Sequence, residues 1–300
     1  MIGKPRENLM KKVLFATTAL IATAGMAAAD IKLSGYGRFG ALYNDVTDAT
    51  NFISRLRIQI DVSAETQSGM KVGARQRIQT EENGMGAGNG VRFYITTGGL
   101  TIAGGNILGA IEAMPGLYMN TKSGGTGLEG NGFTSLVTNT AGNGYWNWDA
   151  YSSGGVGAAN GVEVIYSANG FTAHLSVSDS NRDALALSYK FGDYTAAVAV
   201  QDSDTAANQK TVVTFGGKLG AADFTLAYAD NDGVDKFALK GGANVGAATY
   251  LYGFVASEDL GETFGLGVSH DLGGASIEAG WTRNDITDMN QISAGFFFAF

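Results

Sequence analysis

Residues 54–65 read SRLRIQIDVSAE. Leu56, Ile58, Ile60, Val62 and Ala64 fall on one parity, and Arg55, Arg57, Gln59, Asp61, Ser63 and Glu65 on the other. Strict alternation of this kind is the signature of a strand with one greasy and one wet face. The pattern continues on both sides. In DIKLSGYGRFGALY (30–43), Ile31, Leu33, Phe39, Ala41 and Tyr43 oppose Asp30, Lys32, Ser34 and Arg38. After a turn at Thr66-Gln67-Ser68-Gly69, MKVGARQRIQ (70–79) sets Val72, Ala74 and Ile78 against Lys71, Arg75, Arg77 and Gln79. VRFYITT starts at Val91, Gly98-Gly99 turns the chain, and LTIAGG ends at Gly105.

Beyond Gly161 the alternation resumes. VEVIYS (162–167) turns at Ala168-Asn169-Gly170 into FTAHLSVS (171–178), and Asn-Gly between alternating runs is a strong hairpin signal. ALALSYKF and YTAAVAVQ follow around Gly192-Asp193, then KTVVTFGGKL and DFTLAYA around Gly220-Ala221-Ala222. Strands starting at Lys236 and Thr249, a hairpin around Gly273-Gly274, and NQISAGFFFAF complete the chain. The count is about 16, an even number, as bacterial membrane barrels require. Tight turns alternate with longer polar loops at 44–51, 79–90, 202–209, 230–235 and 284–288. Short turns on one side and long loops on the other are the barrel rule. Tyr166, Phe171, Phe191, Tyr194 and Phe224 sit beside the tight turns, where an aromatic girdle belongs.

Residues 106–161 break the pattern. This stretch is glycine-rich, poor in charge and without period. A loop this long in a compact domain is functional or disordered. The expectation is that it folds into the bore of an all-β, 16-stranded antiparallel transmembrane β-barrel and narrows it.

Composition agrees. The 300 residues include 45 Gly, 2 Pro and no Cys, with 16% charged and 10% aromatic residues. That balance excludes collagen, a disordered chain, a disulfide scaffold and thiol metal sites. From Met10, a second candidate start, MKKVLFATTALIATAGMAAA has a basic n-region, an apolar core too short to span a membrane, and an A-x-A site at Ala27-Ala28-Ala29. Residues 1–29 therefore read as a signal peptide, and 30–300 as the mature barrel. Removing four cations (Lys4, Arg6, Lys11, Lys12) and one acid (Glu7) takes the formal charge from −8 to −11. An acidic mature chain is a poor nucleic-acid binder. No later stretch has the run of apolar residues a membrane helix needs, and the remaining way to satisfy backbone in lipid is a closed barrel.

The candidate site residues are charges on inward parity. Arg38, Arg55, Arg57, Arg75, Arg77 and Arg92 lie on four consecutive strands, with Lys71 nearer the tight-turn end. Guanidinium groups gathered on one wall of a wet bore make a local positive field. The acids to oppose them are the loop's Glu112 first, then Glu129 and Asp149. Tyr145, Trp146 and Trp148 read as rings packing the loop against the wall. His174 and Ser176 share a lumen-facing parity, but there is no GxSxG elbow and no HExxH, so an enzyme is not expected. GMGAGNG (84–90) and GGVGAANG (154–161) lack the strand-to-helix context of a dinucleotide fingerprint. Asp230, Asp232 and Asp235 in DNDGVD have calcium-loop composition without the EF-hand spacing. They are candidate ligands for a structural calcium ion, and no cofactor is otherwise implied.

The start DIKLSGYGRFG, the hairpin SGMKVGARQRI, the segment LTIAGGNILGAIE before the long loop and the terminal GFFFAF together resemble the general porins of Gram-negative outer membranes, most closely the alphaproteobacterial, photosynthetic-bacterium type. The resemblance covers essentially all of residues 30–300. It implies a homotrimer of 16-stranded barrels in the cell outer membrane, each with a constriction loop after the fifth strand. It further implies contact with outer-membrane lipid and lipopolysaccharide, and assembly by the barrel machinery through Phe300. The loop is usually acid-rich in this type, and here it holds only Glu112, Glu129 and Asp149. The expected function is passive diffusion of small hydrophilic solutes and ions. The alternative is a substrate-selective porin for sugars, small acids or phosphate.

Overall fold

The structure, a computed structural model, describes residues 29–82, 84, 86–118, 138–139, 144–145, 149, 151, 160–204 and 209–300. Sixteen long strands follow in order: β1 Asp30–Asn44, β2 Ala49–Glu65, β3 Lys71–Glu81, β4 Arg92–Thr97, β5 Leu100–Asn106, β6 Asn160–Ala168, β7 Phe171–Ser178 and β8 Arg182–Phe191. They continue as β9 Tyr194–Ser203, β10 Lys210–Leu219, β11 Ala222–Asp230, β12 Asp235–Asn244, β13 Thr249–Glu258, β14 Gly261–Asp271, β15 Ser276–Asn284 and β16 Met289–Ala299. Each pairs antiparallel with the next, and β1 also pairs with β16, from Tyr36↔Ala299 to Asn44↔Gln291. The ring is closed, so these long strands leave no open edge. The signal-peptide expectation lies outside the described residues, apart from Ala29.

The outward parity is apolar around the ring. Leu266, Phe237 and Val255 are each more than half exposed. A continuous apolar belt of this extent has lipid as its natural solvent. At the tight-turn end, Phe191, Tyr194, Phe215 and Phe224 form a chain of ring contacts with centroids 5.6–6.4 Å apart. Phe215 extends the girdle read from the sequence. The turns beneath are built for hairpins. Asn169 and Gly170 both take positive φ, 51° and 82°, the geometry of a two-residue connection matched to strand twist.

Two features differ from the sequence expectations. First, the strands run further toward the loop end than periodicity indicated. Asn44 pairs with Ala49, leaving a connection in which the Asn44 side-chain oxygen accepts from the Val46 amide at 2.9 Å. An Asx turn of this kind closes a hairpin that otherwise reads as a long polar loop. Second, the inner wall is not wet throughout. On β8 to β13, Ala184, Ala186, Ala197, Ala199, Val212, Ala227, Ala229, Ala238 and Ala256 face inward and are buried, joined by Tyr252 and Phe254. Something apolar must cover the alanine bed, and it is the first arm of the long loop, while Tyr252 and Phe254 form a separate cluster with Tyr250.

The seam between β1 and β16 has its own packing rule. The Gly35 amide donates to the Phe300 carbonyl at 2.9 Å, and the Phe300 amide donates back at 3.0 Å. A methyl group on Gly35 would stand 2.0 Å from the Arg57 carbonyl oxygen and 2.9 Å from the Phe300 ring. One on Gly37 would run into the Phe298 ring. The small residues of β1 thus let the ring close. At the loop end the seam is pinned by Asp45, whose carboxylate accepts from the Asn290 amide at 2.7 Å and from its side-chain nitrogen at 2.6 Å.

Candidate functional site

Strand register builds the basic wall. Arg38 lies opposite Arg55, Arg55 opposite Glu81, Arg57 between Tyr36 and Gln79, Gln59 opposite Arg77, and Arg75 between Asp61 and Arg92. All share inward parity, so directly opposed side chains are near neighbours on the lumen surface. The wall carries its own partial compensation. Arg55 pairs with Glu81, Arg75 with Asp61 at 2.6 Å, and Arg92 with Glu163 at 2.5 Å. Arg57 donates to Gln79 at 2.7 Å and lies over the Tyr36 ring at 5.1 Å. The pairing with Asp61 could have been read from the sequence, because that residue shares the parity of Arg55 and Arg57. The pairing with Glu163 could not, because it joins strands on either side of the long loop.

Glu163 is the root of that loop. It is fully buried, and its Oε2 accepts from the Leu108 amide at 3.1 Å and contacts His174 Nε2 at 2.9 Å, while Oε1 takes Arg92. Ser176, one inward position along β7, accepts from the Ala110 amide at 3.0 Å. His174 and Ser176, read from sequence as open lumen wall, are instead covered by the loop they hold. Arg92, placed with the pore-lining set, is likewise buried in this node. Replacing Glu163 with Ala strands Arg92 in a dry site, and breaking such a pair costs about 3–5 kcal/mol. The expected results are a lower unfolding temperature in detergent and a larger, noisier single-channel current. A variant matching the parent in both measurements would leave Glu163 without this role.

From the root, residues 107–118 run along the inner wall. Ile111, Met114 and Leu117 bury themselves on the alanine bed of β8 to β13. Full burial of Ile111 and Leu117 contributes about 1.5–3 kcal/mol each. Thr214 Oγ1 donates to the Pro115 carbonyl at 2.6 Å and fixes the arm's far end. Glu112 points away from this bed. Its carboxylate accepts from the Tyr151 amide at 2.7 Å and from the Tyr118 hydroxyl at 3.3 Å. Tyr151 in turn joins the basic wall: Arg77 donates to its carbonyl at 2.9 Å and lies 4.9 Å from its ring centroid, and its hydroxyl donates to the Arg75 carbonyl at 2.6 Å. Tyr151 therefore stitches the loop acid to the arginine wall, a role its place in the sequence did not signal. Burial pushes the Glu112 carboxyl up to about 7, against the opposing pull of the Tyr151 amide and Arg77.

The other candidates lie elsewhere. Lys71 is exposed at the tight-turn end, opposite Glu65 and Thr96. Asp149 does not face the arginine wall; it is buried against Arg182 on β8 at 3.0 Å. Glu129, Trp146 and Trp148 lie outside the described residues, as does the side chain of Tyr145. Asp230 caps its turn by accepting from the Gly233 amide at 2.8 Å, and Asp235 accepts from the Tyr228 hydroxyl at 2.7 Å. Among the described residues, no three carboxylate or imidazole groups converge as a metal site.

A closed 16-stranded barrel, apolar outside and narrowed by a loop along its inner wall, defines a transmembrane β-barrel channel. This chain belongs to the Gram-negative porin family, whose profile matches residues 16–299. It is 28% identical over 305 residues to a porin of Rhodobacter capsulatus, covering 88% of this chain and 97% of that one. It is 25% identical over 291 residues to a porin of Fuscovulum blasticum, covering 87% and 98%. A triple mutant of Rhodopseudomonas blastica porin superposes with a TM-score of 0.77 at 25% identity, over 90% of this chain and 100% of that one. The protein is a diffusion channel of the outer membrane. The family and these relatives favour a general channel over a substrate-selective one for sugars, small acids or phosphate.

Proposed function

We propose that small hydrophilic solutes and ions are filtered, by size and by charge, between the arginine wall of β1 to β3 and the loop arm that carries Glu112. The observation that supports this most directly is the Glu112–Tyr151–Arg77 connection inside the ring of strands. Charges of both signs bordering a narrow aqueous passage create a local field that orients water and dipolar solutes. Arg38, Arg55, Arg57, Arg75 and Arg77 supply the positive side, and Glu112 the negative. The working form is a homotrimer embedded in outer-membrane lipid and lipopolysaccharide, assembled through the terminal Phe300.

Planar-bilayer recording in a KCl gradient tests the filter. Glu112 loses its charge as pH falls through about 7, so the passage becomes more positive below that pH. The zero-current potential should then drift toward the anion side on acidification. Glu112→Gln should sit at the acid value at every pH and flatten the drift. A parent channel whose potential ignores pH between 8 and 6, roughly one unit either side of the half-charged point, removes Glu112 from the filter.

A further inference from the structure

Below the loop arm, toward the tight turns, the lumen holds a cleft of about 510 Å³. Its roof is Pro115, held by Thr214. Its wall carries three lysines from alternate strands: Lys190 on β8, Lys218 on β10 and Lys240 on β12. Two carboxylates share the lining: Asp193, in the turn between β8 and β9, and Asp223 on the intervening β11, whose two oxygens lie 2.9 and 2.8 Å from the Tyr250 hydroxyl that donates to it. Lys240 lies over the rings of Tyr250 and Tyr252, at 5.9 and 5.5 Å from their centroids. Lys190 and Lys218 are exposed to the lumen, and among the described residues no carboxylate forms an ion pair with either.

We propose that this cleft is a second anion site of the channel, distinct from the arginine wall, that transiently holds small polyvalent oxyanions such as phosphate on the tight-turn side. The inference rests on the reading of the protein as a water-filled channel. Lys190 and Lys218 act as point charges on flexible stems, suited to an oxyanion of any orientation. The Tyr250 hydroxyl holds Asp223 away from an ion pair with its register partner Lys218, and three lysines against two carboxylates leave the cleft net positive. The site concentrates anions at one mouth and leaves the discrimination of solutes to the constriction. It does not require a dedicated substrate.

The test is single-channel recording of the full chain in KCl of about 0.1 M, where charges act over roughly 10 Å. Inorganic phosphate is added to one side at a time. Phosphate on the tight-turn side should reduce the chloride current along a saturating curve, and phosphate on the loop side should do so less. The double variant Lys190→Gln, Lys218→Gln should raise the half-blocking concentration on the order of tenfold, as loss of two solvent-facing charge contacts predicts. Its zero-current potential in a KCl gradient should move toward the cation side by less than that of the triple arginine variant. Block that is equal from both sides, or unchanged in the double variant, overturns the site while leaving the channel intact. A chain that inserts and passes no steady current overturns both readings.

Discussion

Replacing Arg55, Arg57 and Arg75 together with Gln moves the zero-current potential toward the cation side by on the order of 10 mV in a tenfold KCl gradient, where a perfectly selective pore would give about 59 mV. Glutamine keeps much of each side chain's reach and hydrogen bonding, so the change isolates charge. The effect exceeds the loss of three isolated cations. Arg55 and Arg75 neutralise Glu81 and Asp61, which remain on the wall as bare carboxylates when their partners go. The wall thus loses positive charge and uncovers negative charge in one step. Adding Glu81→Gln and Asp61→Asn should recover part of the shift, separating the two contributions. Raising the salt to about 1 M, where screening acts within roughly 3 Å, should shrink the shift. A triple variant with the parent's potential would place these arginines outside the ion path.

Gly35→Val prevents the ring from closing. The added Cβ would sit 2.0 Å from a backbone oxygen of β2, which cannot swing aside as a side chain can. Relief requires β1 to part from β2 or from the Phe300 pairing. Overpacking alone costs about 1–3 kcal/mol, and losing seam hydrogen bonds adds to it. The expected result is a chain that binds detergent but fails to show the heat-sensitive gel mobility of a closed barrel. Gly241→Ala serves as the control, since a Cβ there meets nothing nearer than 3.8 Å. Normal folding of the Gly35 variant, with the control also normal, would mean the seam tolerates what its geometry forbids.

The barrel was legible because alternation is a local signal. Each of Leu56, Ile58 and Ile60 declares its face through its neighbours, whatever the rest of the chain does. The shared facing of the arginines on β1 to β3 followed from the same parity, whereas the register of β1 on β2 did not, because 44–51 reads as a long polar loop. What stayed hidden depended on contacts across long separations. Alanine is small enough for either face of a strand, so Ala184, Ala199 and Ala227 did not show that they form a bed for Ile111 and Leu117. Asp149 was paired with the arginine wall on charge alone, but the returning loop brings it to Arg182. Tyr151 gave no sign of its role, because a tyrosine in a glycine-rich loop is an ordinary packing residue until both ends of the loop are placed.

The meeting of Gly35 with Phe300 also governs the order of events in a nascent chain. The strand β1 gains one permanent neighbour once β2 is made and the other only when β16 arrives. Until then it carries an open edge and a greasy face through an aqueous compartment, the condition most prone to sticking to other chains. Pairings that span the whole sequence are also the slowest to find by chance. A polypeptide with this circular closure therefore depends on being kept apart from its siblings until its tail has emerged.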